Sequence, residues 1–243
     1  MTTSEARNDH RWFIRGLRDA VEQMRGKAIA DELWLCLIAF NDRHFYAAYH
    51  YSEVLRLVKV GLGGREDAQS VFVDILLGND EAASSVFRTH RKQAWAHVLG
   101  CLHNLHAIAD IMGHVIALSL GQKVRGRISM HNARKLVTDS HLTSLLNSWL
   151  DHEDFKYLDA VVNFSKHHSL VREQLSVDLT GTRDVPFGLK LSSFNHNDER
   201  FAERWVTDAL PVLYDRQSPL VIQVGRRVSE LVGIDPSLEG ADA

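Results

Sequence analysis

Cys36 and Cys101 are the only cysteines in this chain of 243 residues. Both lie in apolar stretches of helical spacing and neither has a CxxC partner, so a disulfide framework is not expected. Buried structural thiols in a reducing compartment are the simpler reading. A large charge of one sign is also missing. The formal net charge is −3, which excludes a global basic field for nucleic acid and leaves room only for a local patch. Long apolar runs are lacking too, because charge or histidine interrupts them before bilayer length. Met1–His10 is polar and has no apolar core of a secretory leader. A cytoplasmic location without a membrane partner is therefore expected. No P-loop, dinucleotide-binding glycine pattern or GxSxG elbow occurs, which lowers the triphosphate, dehydrogenase and hydrolase readings. HExxH and the ExxH of di-iron bundles are absent as well. No cofactor is implied.

What remains is an ordinary globular composition, 45% hydrophobic and 24% charged, with enough length to bury a core without staples. Helical periodicity dominates. Trp12, Phe13, Leu17, Ala20, Val21 and Met24 predict a helix over 11–26 that stops at Gly26. A long pattern covers 31–62, with Asn41 and Asp42 as a point of interruption. A short helix covers 66–77. Asp80 caps a pattern that runs to Leu120. One helical turn falls within 122–137, Asp139 or Ser140 caps a helix to Leu150, and another covers 155–173. After 174 the period changes to two: Leu175, Val177 and Leu179, then a turn from Gly181 to Pro186, then Phe187, Leu189 and Leu191. This predicts a small hairpin near 174–195 packed on helices. Two closing helices follow at 198–215 and 217–232. The expected fold is mainly α, a helical bundle with a small C-terminal β-hairpin and closing helices. It forms one domain over 1–236, with a disordered tail at 237–243.

Fourteen histidines are a reason to check spacing, since imidazole binds metals and moves protons near neutral pH. His103, His106, Asp110 and His114 step by three, four and four, which places them in one stripe beside an apolar helix face. Three readings are open. The stripe binds a metal completed by a second helix, or Asp110 and a histidine work as acid and base, or the groups form a hydrogen-bonded seam that sets helix register. A second stripe comprises Asp159, Asn163, Lys166 and His167. Asn163 is a weak helix former in mid-helix, and it lies one turn from His167. Amide, ammonium and imidazole together suit an anionic group such as phosphate; a capping network is the structural alternative. Arg88, Arg91 and Lys92 form a local basic patch that suits an RNA backbone or simply a solvated helix start. Phe40, Tyr46 and Tyr49 read as core or as a packing interface.

Asn163-x-x-Lys166-His167, following a helix that bears Asp110, resembles the helix of bacterial HEPN-like proteins. The similarity in element order covers roughly 80–232. The resemblance implies an α-helical domain that binds RNA or cleaves it without metal, in defence or toxin systems and commonly as a dimer. It would make His167 the acid/base, Lys166 and Asn163 the phosphate or orienting groups, and Asp110 an orienter. In the family motif an arginine precedes the asparagine; here that position is Val162, and Lys166 supplies the positive charge. Looser Arg-to-His spacings are Arg43/His50, Arg91/His97, Arg125/His131 and Arg134/His141, about as many as composition gives by chance. Arg91/His97 is kept as a spare pair because it shares a helix with the first stripe. A non-catalytic module that binds another protein or assembles as a homo-oligomer is the alternative, and a metal-dependent helical enzyme built on 103–114 is the third.

Overall fold

A computed structural model describes residues 12–61, 68–79, 81–122, 128–185 and 187–234. The expected tail at 237–243, the Asp80 cap, Pro186 and Arg125 lie outside the described residues. The protein is mainly α, 72% helical among the described residues, with a small antiparallel sheet. The described helices are α1 (Ile14–Arg25), α2 (Lys27–Gly61), α3 (Ala68–Leu77), α4 (Glu81–Leu120), α5 (Met130–Arg134), α6 (Ser140–Leu150), α7 (Glu153–His167) and α8 (Val206–Leu231). The strands are β1 (Glu173–Val177), β2 (Phe187–Leu191), β3 (Phe194–His196), β4 (Glu199–Phe201) and β5 (Arg204–Trp205).

Four features differ from expectation. Helix α2 runs through Asn41 and Asp42 without a break. Both side chains are exposed, so these weak helix formers sit where water satisfies them. Helix α7 ends at His167 rather than near 173. The two expected closing helices are one helix, α8, with Pro211 and Pro219 inside it. Burial of Leu210, Leu213, Val221 and Val224 outweighs the missing proline N–H groups. Residues 199–205, expected to begin the first of these helices, form β4 and β5 instead.

The chain divides into two compact units. The first comprises 1–44, 105–156 and 215–243; the second comprises 45–104 and 157–214. In the first, Leu17, Val21, Leu33, Leu37, Ile108, Met112, Ile116, Trp149 and Val224 are buried. Gly113 of α4 meets the main chain before α5. A Cβ there would lie 2.6 Å from the Met130 nitrogen, so only glycine permits this approach. Asp139 caps α6 by accepting from the Leu142 N–H at 2.7 Å, as its sequence position predicts. The same carboxylate accepts from Arg227 Nε at 3.0 Å and Nη2 at 2.6 Å.

In the second unit, β1 and β2 form the expected antiparallel pair, with Leu175 opposite Leu189, and β5 extends the sheet beyond β2. Phe187 stacks on Phe72 at 5.0 Å, and Phe72 meets Phe87 edge-on at 5.9 Å. Val58, Ile75, Leu175 and Val177 pack around this aromatic cluster. Alternating strand residues thus turn one face onto helices, which is what a small sheet needs for stability.

The segment Ser85–Leu120 is long and apolar enough by composition to cross a membrane, contrary to expectation. Its histidines and asparagine interrupt runs, yet abundant Val, Leu, Ile and Ala hold the mean hydropathy of one window at 1.2, with 67% of that window buried inside the protein. A core helix has this same composition.

Candidate nucleic-acid interface

Helix α7 is built as an amphipathic helix. Glu153 and Asp154 occupy its first turn and Lys166 and His167 its last, a charge order that complements the helix dipole. Phe155, Leu158, Val161 and Val162 are buried. Val162, the position of the arginine in the HEPN-like motif, therefore faces the core and not solvent. Asn163 is half-buried, and its amide donates back to Asp159 Oδ1 at 2.9 Å. Lys166 and His167 are exposed. The three motif residues thus divide: Asn163 belongs to a polar clasp within the helix, while the ammonium and imidazole face water.

Beyond the helix end lies an arrangement that the sequence reading missed. The His168 ring stacks on Phe164 at 5.5 Å with an interplanar angle of 23°. Its edge neighbour is His196 of β3 at 6.1 Å. Phe164 in turn meets Phe194 at 5.3 Å, and Phe194 stacks on Phe201 at 5.1 Å across the β3–β4 pair. The series ends at Tyr157, whose ring touches both phenylalanines and carries the Arg204 guanidinium 4.1 Å above it. Burial pushes the Tyr157 hydroxyl up to about 12, so it stays neutral. Asn197 and Asp198 make the β3–β4 turn with φ of 49° and 63°, values these two residue types tolerate. Lys166 and His167 immediately precede His168 in the chain, and they, Arg172 and Arg200 are all exposed. The Ser192 N–H donates to the Arg172 carbonyl at 3.0 Å.

The first stripe is distributed differently. His103 falls in the second unit; His106, Asp110 and His114 fall in the first. His106 is buried and the others are half-buried. His103, His106 and Asp110 each already have an interaction partner. Among the described residues, no group of three or more His, Cys, Asp or Glu side chains is arranged to hold a metal. Two buried amides bonded to the main chain of α4 were not anticipated. Asn104 donates to the Gly100 carbonyl at 2.7 Å, and Gln217 donates to the Leu105 carbonyl at 2.7 Å. Asp110 belongs to the first unit and Asn163, Lys166 and His167 to the second.

The basic patch also divides. Arg88 and Lys92 are exposed, whereas Arg91 Nε lies 3.1 Å from Glu173 Oε1. The spare pair Arg91/His97 separates in the same way, because His97 bonds elsewhere. Its Nδ1 lies 2.8 Å from His50 Nδ1, with the Tyr49 ring beside both imidazoles. Burial, and then the neighbouring His97, hold the His50 imidazole below its ordinary value. Gly100 makes room for this pair, since a Cβ there would stand 2.9 Å from the His50 ring. Compared with known proteins, this chain matches no family model, no curated protein and no solved structure.

Proposed function

We propose that this protein is a HEPN-like helical domain that binds single-stranded RNA at the end of α7 and the adjoining β3–β4 hairpin. The observation that carries this reading is the His168 ring stacked on Phe164, with Lys166 and His167 next to it in the chain and Arg172 and Arg200 likewise exposed. A flat aromatic surface offers a stacking partner to any unpaired base, worth about 1–3 kcal/mol per base. Neighbouring cations take the phosphates between bases. A net charge of −3 makes the attraction local rather than global. Fluorescence anisotropy with a labelled single-stranded RNA over a salt series tests this reading. Binding should weaken with salt with a slope of roughly −2 if Lys166, Arg172 and Arg200 each meet one phosphate. His168→Ala should cost about 5- to 150-fold, the range set by one lost stacking contact. Lys166→Ala should reduce the slope by about 0.7. No binding at low salt, or unchanged affinity in His168→Ala, rejects the reading. In its catalytic form His167 acts as acid/base, and RNA cleavage then persists in EDTA and disappears in His167→Ala.

A second reading, an oligomerisation or protein-binding module, is favoured by one observation. Phe45, Tyr46 and Tyr49 on α2 are 66%, 45% and 49% exposed. Three neighbouring aromatic side chains left in water are typical of a surface that meets another protein. Phe45→Ser should then lower the mass measured by light scattering from that of a dimer to that of a monomer; a monomeric wild type rejects a homo-oligomer.

A further inference from the structure

The second unit contains a cavity of about 650 Å³ that neither histidine stripe borders. Its apolar wall comes from Val54 and Val58 of α2, Phe187 and Leu189 of β2, and Val206 at the start of α8. At its margin Leu55 and Val185 are 43% and 56% exposed. These are apolar groups left in contact with water at the mouth of an apolar space.

The rim is formed by a loop of fixed shape. The Asp178 carboxylate accepts from the backbone N–H groups of Thr180, Thr182 and Arg183 at 3.0, 3.1 and 3.1 Å. The bond from the Thr180 hydroxyl, and then these backbone bonds, hold Asp178 down to about 2, so the loop keeps its carboxylate clasp throughout the neutral range. Arg183 is locked in turn. Its Nη2 donates to Asp208 Oδ1 at 2.7 Å, its Nη1 to Asp208 Oδ2, and its plane lies 4.4 Å over the Trp205 ring.

Charge decides the kind of ligand. Among the described residues, four charged side chains border the space: Lys59, Arg183, Asp184 and Asp208. Arg183 and Asp208 neutralise each other through two parallel bonds, the strongest form of such a pair. Lys59 and Asp184 are opposite in sign and both exposed. The described part of the border therefore carries no net charge. An ionised ligand would surrender its hydration against an apolar wall and gain no net attraction. An uncharged one loses little.

We propose that this cavity binds an uncharged amphipathic small molecule. Its apolar body lies against the valine, leucine and phenylalanine wall, and a hydroxyl head donates to the hydroxyl oxygen of Thr182 or Thr207 at the rim, whose own hydrogens go to Asp178 and Asp208. The volume falls in the ordinary range for small-molecule sites, and the pairing of an apolar wall with a few placed polar groups is their usual construction.

Isothermal titration calorimetry of the full chain at neutral pH with naphthol, naphthoate and naphthylmethylammonium tests the assignment, since the three share one apolar body and differ in charge. Naphthol should bind saturably and at least about tenfold more tightly than either ion. Leu55→Trp, on the exposed margin, should weaken naphthol by about tenfold while the thermal transition is kept. Val58→Trp repeats the blockade from deeper in the wall. Absence of saturable naphthol binding, a preference for either ion, or unchanged naphthol affinity in a folded Leu55→Trp protein overturns the proposal.

Discussion

Replacing Gly225 with alanine sets two effects of opposite sign against each other. Gly225 lies inside α8, and alanine in a helix interior is favoured over glycine by about 1 kcal/mol. The added Cβ would, however, sit 2.3 Å from Trp12 Cδ2 and 2.5 Å from its Cε2. Carbon atoms rest at about 3.5–4.0 Å, so the rigid indole must withdraw by more than about 1 Å. Trp12 is anchored where it stands. Its Nε1–H donates to the Ser229 hydroxyl at 3.1 Å, and its ring meets Phe40 edge-on at 5.8 Å. Overpacking costs about 1–3 kcal/mol, and loss of the Ser229 bond adds about 1 kcal/mol. The clash wins, and Gly225→Ala should destabilise by about 1–3 kcal/mol. In a Trp12→Ala background nothing opposes the new methyl, and the same substitution should stabilise by up to about 1 kcal/mol. Urea unfolding followed by far-ultraviolet circular dichroism measures all four members of the cycle. A stabilising Gly225→Ala with Trp12 in place, or an equal effect in both backgrounds, refutes the reasoning.

Other outcomes follow from the charged and titratable groups. Arg227 and the Leu142 N–H hold the Asp139 carboxyl down to about 2. A depressed carboxylate contributes stability that is complete above the ordinary carboxylate range and is lost as pH falls towards the folded value. Asn caps a helix as well as Asp does, so Asp139→Asn isolates the ion pair. It should cost up to about 1 kcal/mol at neutral pH, and the difference should vanish in acid unfolding curves. His50 titrates low because it is half-buried beside His97. The unfolded chain takes up that proton first, so stability should fall as pH drops below the ordinary histidine range. In His97→Gln, NMR titration should show His50 moving upward, though still below its ordinary value because burial is the larger cause; no upward movement rejects the account.

The legible parts of this fold are those written in short-range pattern. Asp139 was readable as a cap because an N-cap needs only its own next turn, and Leu175 opposite Leu189 was readable because strand alternation is local. The β3–β4 hairpin was misread as a helix start. Asn197 and Asp198 favour a helix N-cap and a tight turn for the same reason, a short side chain whose oxygen bonds the nearby backbone, and only the pairing of Phe194 with Phe201 decides between them. The second stripe was half legible. Spacing put Asn163 and His167 on neighbouring turns, yet Asn163 turned back to Asp159. The Phe164–His168 stack was available at i, i+4 spacing but has no polar partner pattern to draw attention. The His50–His97 bond joins residues 47 apart in sequence, and no local rule reaches that far.

The division of the chain into two units passes through helices rather than linkers. Residues 44/45, 104/105, 156/157 and 214/215 mark the four crossings, and they fall inside α2, α4, α7 and α8. No single excision can therefore release either unit, and a protease would have to open a helix to find the seam. Neither half exists as one stretch of the gene. Each must wait for distant parts of the polypeptide to be synthesised, so the assembly is inherited, and must be engineered, whole.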